Sequence, residues 1–259
     1  MDSNERAKIQ RELERRFREI TVLSWISSPR INGTTLTQHF REAPISQADI
    51  DRFIHRCEQY SEQYSDRTLE DVPCGDLEDM LRDLFNRLDE LFFFGLLSRR
   101  FLYQETNISI PVEIPLWRLR LGENHPEHMA ATKDSSIYGN WIEFYVLDSE
   151  GRFNQPYSGW HMLRNSVWAL FMVLAHEMCH AYLVTYSSGA AYDHDECFRQ
   201  MEHFIWFKLA AQSDVPGVAA VLQLVCDTQS TRSYSIYDDF ASTFASTLAS
   251  QRKVSKAED

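Results

Sequence analysis

The segment His176-Glu177-Met178-Cys179-His180 carries the residue types of a hydrolytic metal site. In a helix of ~100° per residue, histidines four positions apart lie only ~40° from one another and about 6 Å apart along the axis. Their imidazoles can then meet at one ion, and zinc, with Zn–N bonds of ~2.0–2.1 Å, suits such a pair. Glu177, one position on, is too displaced to join its neighbours as a ligand but can reach a water on the metal. Zinc lowers the pKa of that water from ~15.7 toward ~7, and the carboxylate takes its proton as general base during attack on a carbonyl. With nine His and twenty Glu among 259 residues, this pattern arises by chance roughly 0.02 times per chain. Met178 and Cys179 turn away from the histidine axis and read as a core filler and a buried thiol.

A catalytic zinc takes a third protein ligand and keeps its fourth position open. The metzincin spacing is excluded, because Leu183 and Tyr186 stand where its glycine and third histidine would fall. Glu196 or Glu202 would complete a gluzincin arrangement, and Asp193 or Asp195 an aspartate one. His194 is the best candidate. Imidazole suits zinc, and the short loop Ser187–Asp193 returns residue 194 toward the motif helix. His203, two and a half turns further on, reads as packed or exposed.

The elements that must position these residues follow from hydrophobic periodicity. Ile9, Leu13, Phe17 and Ile20 predict a charged surface helix from Arg6 to about Trp25. Ser, Pro, Gly and Thr clusters over 27–45 predict a loop. Ser46-x-x-Asp49 is a capping box opening a helix with Ile50, Phe53, Ile54 and Cys57 on one face. Gln47, Ile50, Phe53 and Ile54 partly match the short motif that docks on sliding clamps. The second aromatic is missing, and the same spacing is that of a core-facing helix. A third helix is expected over Asp76–Phe93. Leu116–Leu121 and Trp141–Leu147 read as strands, with another short strand within Ala131–Asn140. Helices are then expected near Trp160–Tyr186, Asp195–Ala211, Pro216–Cys226 and Ile236–Ser250, before a disordered tail. Helices, a small sheet and helices again make the class α+β.

On these residues the chain resembles the SprT-like (Spartan-related) zinc metalloproteases. The match lies in Ala175-His-Glu-Met-Cys-His-Ala-Tyr-Leu183 and Asp193-His194-Asp-Glu-Cys-Phe198. That family follows its helical motif, after a short loop, with His-Gly-x-x-Phe at the start of the next helix. Leu84–Leu96, with its Phe-x-Gly ending, resembles the family's opening helix. The resemblance implies a zincin-like fold in which a small antiparallel or mixed sheet packs on the motif helix. It implies zinc held by His176, His180 and His194, with Glu177 catalytic, and a protein or peptide as substrate. The division is then an N-terminal helical extension (1–75), a protease core (76–212), and a C-terminal helical extension and tail (213–259). Asp195 replaces the family's glycine and is expected to cap the following helix. No Cys-rich zinc ribbon or ubiquitin-binding finger follows. An oxyanion helper is expected among Tyr192, Tyr157 and His161, which the sequence does not rank.

Composition bounds the rest. Hydrophobic residues make up 44%, aromatic 13% and charged 25% of the chain, with few Gly or Pro, which excludes collagen-like, low-complexity and wholly disordered chains. A net charge of −12 disfavours the nucleic acid that the resemblance would allow. In the N-terminal helix Glu12, Glu14 and Glu19 dilute the cluster of Arg and Lys, and Arg118 and Arg120 offer only one or two phosphate contacts. The apolar run Ser166–Ala175 is interrupted by His176, Glu177 and His180, short of the ~20 residues of a membrane span. Five scattered Cys without Cys-x-x-Cys pairs, and no apolar stretch near Met1, point to an intracellular protein of nucleus or cytoplasm. The expected function is zinc-dependent endopeptidase activity. The alternatives are a zinc-stabilised scaffold that cleaves nothing and a DNA-associated protease of DNA–protein crosslinks. The sequence assigns no oligomeric state.

Overall fold

A computed structural model describes residues 32–42, 45–64, 72–103, 112–123, 125, 130–134, 140–152, 167–187 and 194–212. The helices expected near 6–25, 216–226 and 236–250, the tail, and Tyr157, His161, Tyr192 and Asp193 lie outside them.

The described elements are α1 (Gly33–Arg41), α2 (Gln47–Gln63), α3 (Cys74–Phe92), β1 (Arg100–Tyr103), β2 (Val112–Pro115), β3 (Trp117–Glu123), β4 (Ala130–Lys133), β5 (Asn140–Leu147), α4 (Val167–Tyr186) and α5 (Glu196–Gln212). The class is α+β, as expected. β1 and β2 form an antiparallel pair, and a mixed three-stranded sheet runs in the order β3-β5-β4. Central β5 is parallel to β3 and antiparallel to β4, with Leu119 and Thr132 both opposite Ile142. The four-residue strands β1 and β2 were not expected. They are too short for alternation to register as a pattern.

The expected loop over 27–45 is corrected at α1. Asn32 caps this helix by accepting a hydrogen bond from the Thr34 amide at 2.9 Å. Leu36 and Phe40, one turn apart, are wholly buried. The Phe40 ring sits 5.2–6.5 Å from those of Phe92, Phe93, Tyr182 and Phe204. Gly and Thr lower the local helix preference, and this burial overrides it. At α2 Ser46 is the N-cap, as read: the Asp49 amide donates to Ser46 Oγ at 3.2 Å, and the hydroxyl itself donates to Asp49 Oδ2 at 2.7 Å in place of the reciprocal main-chain bond of a capping box. Ile50, Phe53 and Ile54 are buried in the core, so the clamp-like spacing is that of a packing face.

Helix α4 is apolar on all sides and packs against α2, α3, α5, β4 and β5. Such a helix is stable only when enclosed. Among the described residues no helix is long and apolar enough to cross a membrane. Two hydrogen bonds anchor its C-terminal end. Trp117 Nε1 donates to Thr185 Oγ1 at 2.8 Å, and the Tyr186 hydroxyl donates to the Leu96 carbonyl at 3.1 Å. Leu96 belongs to a turn after α3 in which Phe94 and Gly95 both take positive φ, 62° and 69°. That conformation is costly for a bulky residue. Asp89 holds the turn: its Oδ1 accepts from the Leu97 amide at 3.0 Å and its Oδ2 from the Ser98 amide at 2.7 Å.

Burial pushes the Asp89 carboxyl up to about 6, against the lowering effect of its hydrogen bonds to Ser98 and Leu97. Between pH ~4 and 6 the folded chain therefore holds a proton that the unfolded chain releases, and this group's contribution to stability falls as pH rises through that window. Asp89→Asn removes the titration and one acceptor. The stability difference should move in favour of the Asn variant by on the order of 3 kcal/mol between pH 4 and pH 7. Urea unfolding of both proteins across that range measures it, and a pH-independent difference would contradict the assignment.

Candidate metal centre

His176 and His180 project from one face of α4, with ring centroids 5.0 Å apart. His194 approaches from the residue pair that opens α5. Its Nε2 lies 3.0 Å from Nε2 of His176 and 3.3 Å from Nε2 of His180. One ligand atom from each histidine falls within 4.8 Å of the others, so the three can hold a metal ion. Tetrahedral bonds of ~2.0–2.1 Å place ligand nitrogens ~3.3 Å apart, close to these separations. The donor set fits as well. Glu202 Oε1 lies 2.9 Å from His176 Nδ1, and because a carboxylate only accepts, Nδ1 is the donor and Nε2 presents its lone pair to the cluster.

The His176 side chain is 13% exposed and that of Glu202 is 7% exposed. Burial alone would lower the imidazole's pKa, but the hydrogen bond and charge of Glu202, with Glu177 adding, leave it raised. Phe198 closes the site from beneath. Its ring centroid lies 4.8, 4.3 and 4.7 Å from those of His176, His180 and His194.

The start of α5 is set by Asp195, whose Oδ1 accepts from the Phe198 amide at 2.9 Å, as the expected N-cap. Gly33 lets α1 press against the same place. A Cβ on it would lie 3.0 Å from Cys197 Sγ and 3.4 Å from Ser187 Oγ. The small residue therefore brings α1 against both the end of α4 and the start of α5.

Each remaining candidate has a definite position. Glu202 reaches the site through His176 and is not itself in the ligand cluster. Glu196 is exposed and bonded to Gln200 and Arg199, and Asp195 caps, so neither joins the histidines. Cys179 is buried and its thiol is pushed well above its ordinary range by desolvation, then by Glu202 and Glu177. Met178 is in the core. His203 is exposed and its ring lies parallel to that of Phe207. Glu177 is 8% exposed, and Thr132 of β4 sits on it: Thr132 Oγ1 is 2.8 Å from both Glu177 Oε2 and the Glu177 main-chain oxygen. Thr132 was missed by the sequence reading. It lies 45 residues away, in a strand too short to reveal which face it presents.

Set against protein-family models, curated proteins and solved structures, the chain matches none of them.

Alanine at His176, His180 or His194 is expected to abolish most zinc binding. Glu202→Gln should keep the fold yet bind zinc about 10–100-fold more weakly. Chelator-competition titration with Zn²⁺ measures both. Wild-type affinity in Glu202→Gln would mean that the carboxylate does not orient His176.

Proposed function

We propose that the chain is a zinc-dependent endopeptidase of the SprT-like kind, with a zincin-like core. The observation that carries this reading is the placement of Glu177 beside three converging histidines, one of them oriented by Glu202. Three imidazoles with a carboxylate-bonded member are a donor set that suits zinc. Zinc, when bound, supplies Lewis acidity that polarises a carbonyl and acidifies water. His176, His180 and His194 bind the ion, and Phe198 keeps water from its lower side. Glu177 accepts the proton of the attacking water and passes it to the departing amine. β4 is an edge of the sheet, and no described strand pairs with its other side. An extended peptide can add there by main-chain hydrogen bonds, next to Glu177.

A zinc-stabilised scaffold would keep the ligands without needing Glu177, so the buried carboxylate favours the enzyme. For nucleic acid, Arg120 is engaged by Glu143 at 2.8 Å and lies 4.2 Å over the Trp141 ring, which leaves a small basic footprint. The described cysteines, Cys57, Cys74, Cys179 and Cys197, are free thiols, which supports an intracellular setting.

Glu177→Gln keeps shape and hydrogen bonding but cannot take the proton. Zinc content and Tm should hardly change, while cleavage of an unfolded protein falls by about two orders of magnitude or more. Equal cleavage by wild type and variant would refute the assigned base. Oligonucleotide titration in ~0.15 M salt should give micromolar or weaker affinity. Submicromolar binding with a steep salt dependence would restore a role at DNA–protein crosslinks.

A further inference from the structure

Glu177 has three side-chain torsions and needs to be held if its carboxylate is to meet a substrate in one geometry. We propose that Thr132 is a positioning residue for Glu177. Its hydroxyl donates to Oε2 and fixes the carboxylate against the edge strand, leaving Oε1 for proton transfer. This inference rests on the peptidase reading of the site.

A hydroxyl carries one proton. Thr132 Oγ1 has two acceptors at 2.8 Å, the Glu177 main-chain oxygen and Oε2. An ionised carboxylate is the stronger acceptor of the two, so the proton lies toward Oε2. Among the described residues none donates a hydrogen bond to Oε1, which leaves that oxygen for the reaction. Thr is a better holder than Ser here. β-branching stiffens its χ1, and pairing with Ile142 in the β4–β5 ladder fixes its backbone. The register is specified too. Neighbouring Lys133 is paired with Glu143 on the other face, and a slip of one residue would turn Thr132 to that side. The strand available to an extended peptide is thus the strand that grips the base. Peptide carbonyl and carboxylate are set in one frame, where an error of ~1 Å can cost ~10²-fold in rate.

The test uses the full-length, zinc-loaded chain with Thr132→Val, which removes the hydroxyl at nearly constant volume, and Thr132→Ser, which keeps it. On an unfolded casein substrate, Thr132→Val should lower kcat about 10–100-fold with KM within about twofold, and zinc content should stay stoichiometric. Thr132→Ser should return kcat to within about threefold of wild type. An unchanged kcat in the Val variant, or equal losses in Val and Ser, overturns the proposal. A thermal cycle provides a readout without turnover. Thr132→Val should lower Tm by about 2–4 °C beside Glu177, and by less beside Glu177→Ala, where the main-chain oxygen is the acceptor that remains. Equal drops in the two backgrounds overturn the proposal. A wild type that cleaves nothing removes the peptidase reading, and the thermal cycle then decides alone whether Thr132 holds Glu177.

Discussion

A neutral imidazole has one N–H and one lone pair, and the 2.9 Å contact between His176 Nδ1 and Glu202 Oε1 settles which nitrogen carries which. With the proton on Nδ1, the lone pair of Nε2 faces His194, whose Nε2 is 3.0 Å away. The Nε2 atoms of His176 and His180 lie 3.0 and 3.3 Å from that of His194, and lone pairs so close repel unless a cation or shared proton lies between them. The fold must therefore hold two helices at a separation that their polar side chains alone would not choose. Apolar packing supplies the force. Phe198, 1% exposed, lies against all three rings, and burying such a side chain contributes about 1.5–3 kcal/mol.

The same requirement explains the anchoring of α4. A helix that is apolar all round could rotate or slide within a greasy interior at little cost, because one face resembles another. Directional bonds remove that freedom. Thr185 receives Trp117 Nε1 from the start of β3, and Tyr186 reaches the turn that Asp89 holds. Phe40, Phe93 and Tyr182 form a cluster with centroid separations of 5.2–5.9 Å beside this anchor, linking α1, the end of α3 and α4. The two histidines of α4 are thus aimed by contacts that lie about one to three turns further along the helix.

How much of this was legible in the sequence varied with the range of the interaction. The pair His176 and His180 follows from helical pitch alone, and His194 from the reach of a short loop; the structure brings all three together. The N-caps at Ser46 and Asp195 are local, and both were readable. α1 was misread because Gly33, Thr34 and Thr35 argue locally against a helix. The deciding term was the burial of Leu36 and Phe40 against residues more than fifty positions away. Glu202 was weighed as a ligand, and only a folded α5 shows that it acts through His176. Thr132 had no local signature at all. Its role depends on which face of β4 meets α4, and that is fixed by pairing with β5.

Two buried carboxylates in this chain differ in a way that bears on function. Asp89 has a main-chain amide on each oxygen, both from the turn it organises, and is satisfied as a structural acceptor should be. Glu177, 8% exposed, receives the Thr132 hydroxyl on Oε2, and no described residue donates to Oε1. Among the described residues, then, one oxygen of Glu177 is held and the other meets no donor. Its place next to three histidines able to hold a cation is the observation on which our proposal of a peptidase rests, ahead of the scaffold.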